Sequence, residues 1–271
     1  MSARQLRRDL ADRTALAAYL DDVFADRAGP GERLSPIGAD DATLAARLER
    51  VEPRRYAATR NRLDGAVTGL SPWIRHGIVT LAEIRDLALA RVEQPEHAEK
   101  LVSELAWRDY WQRVHVQLAE RIWSDLEPWK TGWRARDYAD RLPPEVEAGS
   151  SGLACMDAFA TELRLTGWLH NHARMWLAAW VVHWLRVRWQ AGARWFLRHL
   201  LDGDLASNNL SWQWVASTFS AKPYIFNREN LERNTAGRYC ASCPRRADCP
   251  FDAPYEVLAR RLFPNLAAAD R

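Results

Sequence analysis

The sequence predicts an all-α fold. Apolar residues recur at helical spacing in most segments, as in Leu105, Tyr110, Val114 and Leu118. Convincing alternation of apolar and polar residues, the pattern typical of strands, is missing. The chain has 271 residues, of which 48% are hydrophobic. It can therefore bury a sizeable core, and collagen-like, low-complexity and fully disordered classes are excluded.

Helical periodicity and breakers together place the predicted helices. They cover residues 4–25, 41–50, 55–65, 71–77, 80–92, 96–126, 152–166, 168–190, 192–201, 206–218 and 254–262. Glycine and proline clusters separate them, notably at 29–31 and in a mid-chain loop at 143–152. No linker is rich enough to divide the chain. We expect a helical N-terminal region at 1–55 that continues into a domain at 56–271 with a cysteine-bearing tail.

Charge and hydropathy indicate a cytoplasmic protein. The first twenty residues contain Arg7, Arg8 and Asp9 and offer no apolar core of a signal peptide. The most apolar run, 175–189, is shorter than the roughly 20 residues that span a bilayer, so no membrane helix is expected. Arginine supplies 35 of the 38 positive charges. A bias of genome composition would explain this, and so would a need for bidentate phosphate contacts. The net charge is only +3.

Tryptophan is the unusual component of the composition. The chain has 14 Trp against 3 Met. Indole rings stack on other rings and anchor interfaces, so this excess favours a protein that handles flat aromatic groups. The alternative is that most of these side chains belong to the core.

Three segments concentrate polar residues in an apolar context. Residues 202–214 read DGDLASNNLSWQW, and taken alone they are a helix start capped by Asp204 or Ser207. Residues 167–175 place polar groups in a Trp-rich helix. In the third segment Glu104 and Arg108 share one helix face at i, i+4, which also suits a surface salt bridge.

Together with residues 70–77 (LSPWIRHG), these segments resemble the flavin-binding helical domain of the photolyase/cryptochrome family. The motifs ELAWRD at 104–109, TGWLHNHARM at 166–175 and the 202–214 segment follow in the family's order. The resemblance spans about 56–227. It implies the family's multi-helix fold, without an N-terminal α/β antenna domain, so no antenna chromophore is expected.

The resemblance implies an FAD site. A loop at a helix start would hold the pyrophosphate, an acidic pair would hold the ribityl side, and an amide would face flavin N5. The implied FAD-binding residues are Tyr56, Thr68, Gly69, Leu70, Ser71, Glu104, Arg108, Trp168, Asn171, Arg174, Asp202, Asp204 and Asn208.

The resemblance also implies DNA containing pyrimidine dimers as substrate, flipped out of the duplex into a pocket. The implied catalytic residues are Glu104, Trp107, Met175, Asn208 and Trp214. Trp212 and Trp189 match two members of the family's electron-transfer chain, and the third member stays unassigned, with Trp129 and Trp133 in a segment that does not align. The chain departs from the family pattern at two positions, with Leu101 in place of an aromatic residue and His172 in place of an arginine. Both differences concern substrate binding.

Four cysteines form a candidate metal site. Cys240, Cys243 and Cys249 give C-x2-C-x5-C, and Cys155 precedes the 168–190 segment. In a cytoplasmic chain such a set favours metal over disulfides, and four thiolates suit zinc or an iron–sulfur cluster. Unliganded thiols are the third alternative. The resemblance favours [4Fe-4S], because one bacterial branch of the family has a similar set, although its last spacing is longer.

Three functions are compatible with these residues. The first is light-driven electron transfer from reduced FAD to a pyrimidine dimer, a carbon–carbon lyase reaction that repairs DNA. The second is a cryptochrome-like blue-light sensor or redox flavoprotein without repair activity, working with a separate partner chain. The third keeps the fold without flavin and predicts a colourless protein.

Overall fold

The computed structural model describes residues 6–7, 9–25 and 34–266, and it divides into two units, Met1–Gly38 and Ala39–Arg271. The first unit contains helix α1 (Arg13–Val23), which begins where the Asp12 carboxylate accepts the Ala15 N–H at 2.8 Å. The predicted helix at 4–25 is therefore too long at its N-terminal side. Residues 4, 5 and 8 of that prediction lie outside the described residues.

The second unit is helical throughout its described length. Its helices are α2 (Asp41–Glu49), α3 (Pro53–Thr59), α4 (Ser71–Arg75), α5 (Leu81–Ala90), α6 (Glu99–Leu118), α7 (Pro144–Ala148), α8 (Ala154–Thr166), α9 (Asn171–Ala179), α10 (Trp189–His199), α11 (Leu205–Ala216), α12 (Arg228–Thr235) and α13 (Tyr255–Leu262). Single 3-10 turns precede and follow α6, at Pro95–Ala98 and Ala119–Trp123, and another lies at Ala135–Asp137. No strand occurs in the described ranges, where one isolated bridge joins Ala139 to Val187. The all-α prediction is confirmed.

Local chemistry sets many helix starts. The carboxylate of Asp40 caps α2, and Asn227 caps α12 with its amide oxygen. Thr80 and Glu83 form a capping box at α5. Gly167 ends α8 at φ +69°, a conformation that glycine adopts without strain.

Several predicted boundaries are wrong, each for a physical reason. The predicted helix 168–190 ends early: α9 passes into a π-helical turn at Trp180–Trp184, the chain then turns at Arg186, where φ is +50°, and α10 begins at Trp189. The predicted helices 55–65 and 96–126 end early, at Thr59 and Leu118. Helix α7 lies inside the predicted mid-chain loop, and α12 was not predicted.

Aromatic side chains fill the core between α8, α9, α10 and α11. Four tryptophans are almost completely buried: Trp176, Trp189, Trp195 and Trp212. The core interpretation of the tryptophan excess therefore holds for these side chains, which does not preclude a role in electron transfer. Within the described ranges, no helix is both long enough and apolar enough to cross a membrane.

Gly192 allows α10 to approach α11 closely. A Cβ at this position would lie 2.2 Å from Cη2 of Trp212. We expect Gly192→Ala to lower the free energy of unfolding by about 1–3 kcal/mol, because the indole must shift in a close-packed core. Urea denaturation measures the loss, and near-ultraviolet circular dichroism reports the shift of the indole.

Arg198→Ala, on the exposed face of the same helix, is the matched control and should stay within about 0.5 kcal/mol of the parent protein. Equal stability of the two variants would contradict the close approach.

Candidate flavin and DNA site

The start of α11 carries the acidic pair of the 202–214 segment. Asp204 caps the helix, since its Oδ1 accepts the Ser207 N–H at 2.7 Å, and its Oδ2 accepts the Gln112 amide at 2.6 Å. Burial raises the pKa of Asp204, but these hydrogen bonds and the positive charge of Arg108 lower the pKa overall. Asp204 is therefore an ionised carboxylate fixed between α6 and α11.

Asp202 forms a buried ion pair with Arg174. Nη2 of Arg174 lies 2.7 Å from Oδ2 of Asp202, whose side chain is 3% exposed. Nε of Arg174 donates to the Leu169 carbonyl at 2.9 Å, which fixes the guanidinium. The second oxygen, Oδ1 of Asp202, is buried and has no hydrogen-bond partner among the described residues. A buried carboxylate oxygen without a donor is costly, so it is a ready acceptor for a ligand hydroxyl.

Arg108 adds a second positive charge beside the acidic pair. Burial lowers the pKa of Arg108, and the nearby Asp204 and Asp202 carboxylates oppose that shift. Arg108 is therefore close enough to these aspartates to feel their charge, whereas Glu104 one turn earlier pairs with Arg60 and Lys100. The expected Glu104–Arg108 surface pair is not among the ion pairs that the described residues form.

The C-terminal end of α4 docks on the same region. Arg75 donates to the Gly203 carbonyl at 2.8 Å, and Nε2 of His76 lies 3.0 Å from the Leu201 carbonyl oxygen. The indole N–H of Trp168 donates to Oγ of Ser71 at 3.2 Å. These contacts bring the predicted phosphate-side loop, Trp168 and the acidic pair together, although they are far apart in sequence.

Within that loop Gly69 is required by its surroundings. Its φ is +61°, and a Cβ would lie 2.1 Å from Nη1 of Arg47, which donates to the Gly69 carbonyl at 3.2 Å. The Thr68 hydroxyl accepts the Leu70 N–H at 3.4 Å, and Leu70 is buried. Arg47 is a charged residue of this region that the sequence interpretation missed, because it lies outside the recognised motifs.

Glu104 is held by two cations in this structure. Its Oε1 lies 2.8 Å from both Nη1 of Arg60 and Nζ of Lys100. Tyr56 lies next to this cluster: burial and the Glu104 charge raise the pKa of Tyr56 to about 12, so its hydroxyl stays neutral. Glu104 and Tyr56 therefore lie close together, and Arg60 and Lys100 are partners of Glu104 that the sequence interpretation did not name.

The predicted pocket walls present rings to solvent. Trp107 is 49% exposed and Trp214 is 40% exposed, whereas most tryptophans of the chain are more deeply buried. Trp107 lies 5.2 Å from Trp111, measured between ring centroids, and Trp214 lies 5.6 Å from Tyr224. Exposed, mutually supported rings of this kind suit stacking on bases.

The remaining predicted residues lie on α9 and α11. The Asn171 amide nitrogen is 3.6 Å from the Met175 sulfur, which places these two side chains side by side. The Asn208 amide nitrogen donates to the Ala193 carbonyl at 3.1 Å and so bridges α11 to α10.

The neighbouring amides Asn209 and Gln213 face away from this region, and both donate to the Ile122 carbonyl at 3.4 Å. Part of the polar 202–214 motif is therefore structural, because Asn209 and Gln213 tie α11 to the Ile122 carbonyl.

The predicted electron-transfer residues are buried on adjacent helices. Trp212 contacts α10 at Gly192, which is one helical turn from Trp189. Two residues near Trp189 were not assigned from sequence. Trp123 stacks on it at 6.3 Å between centroids with an interplanar angle of 3°, and Asp125 accepts its indole N–H at 2.7 Å.

The four cysteines line one pocket between α8 and the C-terminal segment. Cys155 and Cys240 are buried, and Cys243 and Cys249 are partly exposed. Burial, and then the other cysteines, raise the pKa of Cys155. Within the described ranges no group of three or more His, Cys, Asp or Glu residues is arranged to hold a metal ion.

Comparison with known proteins decides the family. The sequence model of the FAD-binding domain of DNA photolyase matches residues 101–241, about half of the chain. The chain belongs to the photolyase FAD-binding family. Within this family, the deoxyribodipyrimidine photo-lyase of Streptomyces griseus is 39% identical over 153 residues, which are 56% of this chain and 32% of that protein.

Solved structures show that the fold is shared with the family. A class III photolyase from Agrobacterium tumefaciens matches with a TM-score of 0.62 at 22% identity, over 92% of this chain and 53% of that one. A cryptochrome from Synechocystis matches with a TM-score of 0.65 at 22% identity, over 86% of this chain and 51% of that one. The chain spans about half the length of the family members with solved structures, and less of the photolyase from Streptomyces griseus.

Proposed function

We propose that this chain binds FAD and drives light-dependent electron transfer to a pyrimidine dimer in DNA. The observation that carries the proposal is the buried Oδ1 of Asp202, which has no partner among the described residues, while the other oxygen of the same carboxylate pairs with Arg174. No group among the described residues satisfies this oxygen, and a ribityl hydroxyl would. FAD, when bound, supplies a reduced ring system that absorbs light and donates a single electron.

The residues around Asp202 would play different roles in FAD binding. Asp202 would accept a ligand hydroxyl, and Arg174 and Arg108 would neutralise negative charge. Ser71 and the backbone of Gly69 lie at the end of the region where a pyrophosphate would meet Arg47 and Arg75. These assignments follow the donors and acceptors that the described residues present.

Substrate handling is proposed for the exposed rings. Trp107 and Trp214 offer apolar and stacking walls to a pair of pyrimidines that has left the duplex. Glu104 can accept hydrogen bonds from base edges while its carboxylate also pairs with Arg60 and Lys100. Both cations lie beside the carboxylate, where they also attract a phosphate backbone.

The test is repair by purified protein loaded with FAD, chemically reduced and illuminated with an oligonucleotide that carries one thymine dimer. We expect loss of the dimer in light and none in the dark. Trp107→Ala and Trp214→Ala should each weaken binding of the dimer oligonucleotide about 5- to 150-fold, since stacking on one base contributes about 1–3 kcal/mol.

Val116→Ala, at an 81% exposed position of the same helix as Trp107, is the matched control and should bind as the parent does. Intact dimers after illumination of FAD-loaded protein would refute repair.

A second function has a specific observation in its favour. The two cations on Glu104 occupy the carboxylate that repair would use, and His172 replaces an arginine of the family pattern. A photoresponsive flavoprotein without repair would bind FAD and respond to light, and it would bind dimer-containing and undamaged DNA equally. The same binding assay therefore separates the two functions.

We also propose that the four cysteines hold a metal centre, with a [4Fe-4S] cluster ahead of zinc. Their pocket is apolar apart from Arg228 and Arg246, and these cations suit the negative charge of a thiolate-bound cluster. Protein prepared without oxygen should contain iron and acid-labile sulfide, and Cys240→Ser should lose both. Stoichiometric zinc without sulfide would assign the site to zinc, and absence of both would leave four thiols.

A further inference from the structure

One carboxylate joins two tryptophans beside the core. Oδ1 of Asp125 accepts the indole N–H of Trp189 at 2.7 Å, and Oδ2 accepts the indole N–H of Trp129 at 2.7 Å. Trp189 is completely buried, Trp129 is partly exposed and Asp125 is exposed. Asp125 therefore connects an indole in the core to an indole at the surface.

The segment that carries these residues is held firmly. The Leu126 N–H donates to Oε1 of Gln213 at 3.1 Å, and the Lys130 N–H donates to Oγ of Ser217 at 3.0 Å. Tyr138 packs against the Trp129 ring at 4.2 Å between centroids. The two indoles thus keep their places relative to α11, which carries Trp212.

Trp129 and Trp123, the two tryptophans near Trp189, differ in the sign of the charge beside them. The stacked ring of Trp123 faces the Arg194 guanidinium, whose Cζ lies 4.7 Å from the ring centroid. A nearby positive charge opposes the loss of an electron from an indole, and a nearby carboxylate favours it. Asp125 therefore makes Trp189 and Trp129 easier to oxidise, and Arg194 makes Trp123 harder to oxidise.

We propose that Asp125 selects Trp129, rather than Trp123, as the outer member of the tryptophan chain that the family resemblance implies, and that Asp125 accepts the indole proton of Trp129. A one-electron photo-oxidant, an excited flavin in the proposed function on which this inference rests, takes one electron from Trp212. Trp189 then reduces Trp212, and Trp129 reduces Trp189. The Trp129 radical cation loses its Nε1 proton to the Asp125 carboxylate, which leaves a neutral Trp129 radical and a protonated Asp125 that exchanges with water.

The first test needs no flavin. In indole ¹H–¹⁵N spectra of the flavin-free protein, Asp125→Asn should shift both the Trp129 and the Trp189 Nε1–H signals, because an amide oxygen is a weaker acceptor and its NH₂ group accepts nothing. Signals that stay in place would refute the shared carboxylate. The dispersion of the remaining signals shows that the variant is folded.

The second test follows electrons in FAD-loaded protein after a light flash. Trp129→Phe and Asp125→Asn should each lower the yield of reduced flavin about tenfold, equivalent to about 1.4 kcal/mol, and Trp123→Phe should leave it unchanged. In the parent protein transient absorption should show the neutral tryptophan radical, and in Asp125→Asn the radical cation.

Loss of photoreduction in Trp123→Phe with retention in Trp129→Phe would overturn the inference, as would an Asp125→Asn variant with the parent yield and radical. FAD-loaded parent protein that shows no photoreduction would instead refute the light-driven function. The flavin-free spectra would still test the shared carboxylate.

Discussion

Replacing Asp202 with alanine is expected to abolish FAD binding and to lower the free energy of unfolding by about 3–5 kcal/mol. The substitution leaves the Arg174 guanidinium, which is 23% exposed, without its 2.7 Å partner in a largely buried position. It also removes Oδ1, the unsatisfied acceptor of the site. Flavin absorbance after purification reports binding, and urea denaturation reports stability.

Two controls accompany this substitution. The first separates the charge of Asp202 from its shape, and the second removes a carboxylate from an exposed ion pair elsewhere. Asp202→Asn keeps the volume of the side chain and should stay folded while binding FAD more weakly. Asp140→Asn removes the carboxylate of an exposed pair with Arg188 and should change the free energy of unfolding by less than about 1 kcal/mol. An Asp202→Ala protein that is yellow and as stable as the parent would contradict the proposed site.

Acidification should destabilise the protein through its buried histidines. Burial lowers the pKa of His170, His172 and His183 to about 4, and the charge of Arg60 adds to the shift at His170 and His172. These side chains are neutral in the folded protein, whereas the unfolded chain takes up protons below its ordinary histidine pKa of about 6.5. Stability contributed by the neutral form is therefore present above pH 6.5 and is lost as the pH falls towards 4.

The expected loss between pH 7 and pH 5 is about 1–2 kcal/mol for each histidine. Urea midpoints measured at both values test it. His183→Gln removes one of the three groups and should make the pH dependence shallower, even if the variant is less stable at pH 7. A dependence as steep as that of the parent would show that His183 does not contribute.

Helices were predicted correctly from the sequence where their apolar periodicity is strong, and they were missed where few of their residues are buried. Helix α12 buries only Leu231 and Thr235, and five-residue α7 buries only Val146, so neither produces a recognisable apolar stripe. Helix α11 was predicted because its segment combines a cap with apolar residues at helical spacing, as in Ala206 and Leu210.

The acidic pair of the candidate site was found by resemblance, because Asp202 and Asp204 lie inside a motif. Arg60, a partner of Glu104, was not found, since it is 44 residues away and only the fold brings it near. Lys100, the other partner, lies at i, i+4 on the same helix and was a local signal that the interpretation did not use. The i, i+4 spacing of Asp125 and Trp129 was a usable signal for their hydrogen bond. Their link to Trp189 depends on a contact across 64 residues, which no local pattern contains.

The Ile122 carbonyl, which accepts both the Asn209 and the Gln213 amides, has a kinetic meaning. Electron tunnelling rates fall steeply with distance, so a donor and an acceptor must keep their separation through thermal motion. The two amides belong to the helix that bears Trp212, and the carbonyl directly precedes Trp123 in the chain. If electrons follow the proposed route, these two hydrogen bonds would help to hold the distance between Trp212 and the outer tryptophans, and substitutions at Asn209 or Gln213 would alter electron-transfer rates without changing any redox group.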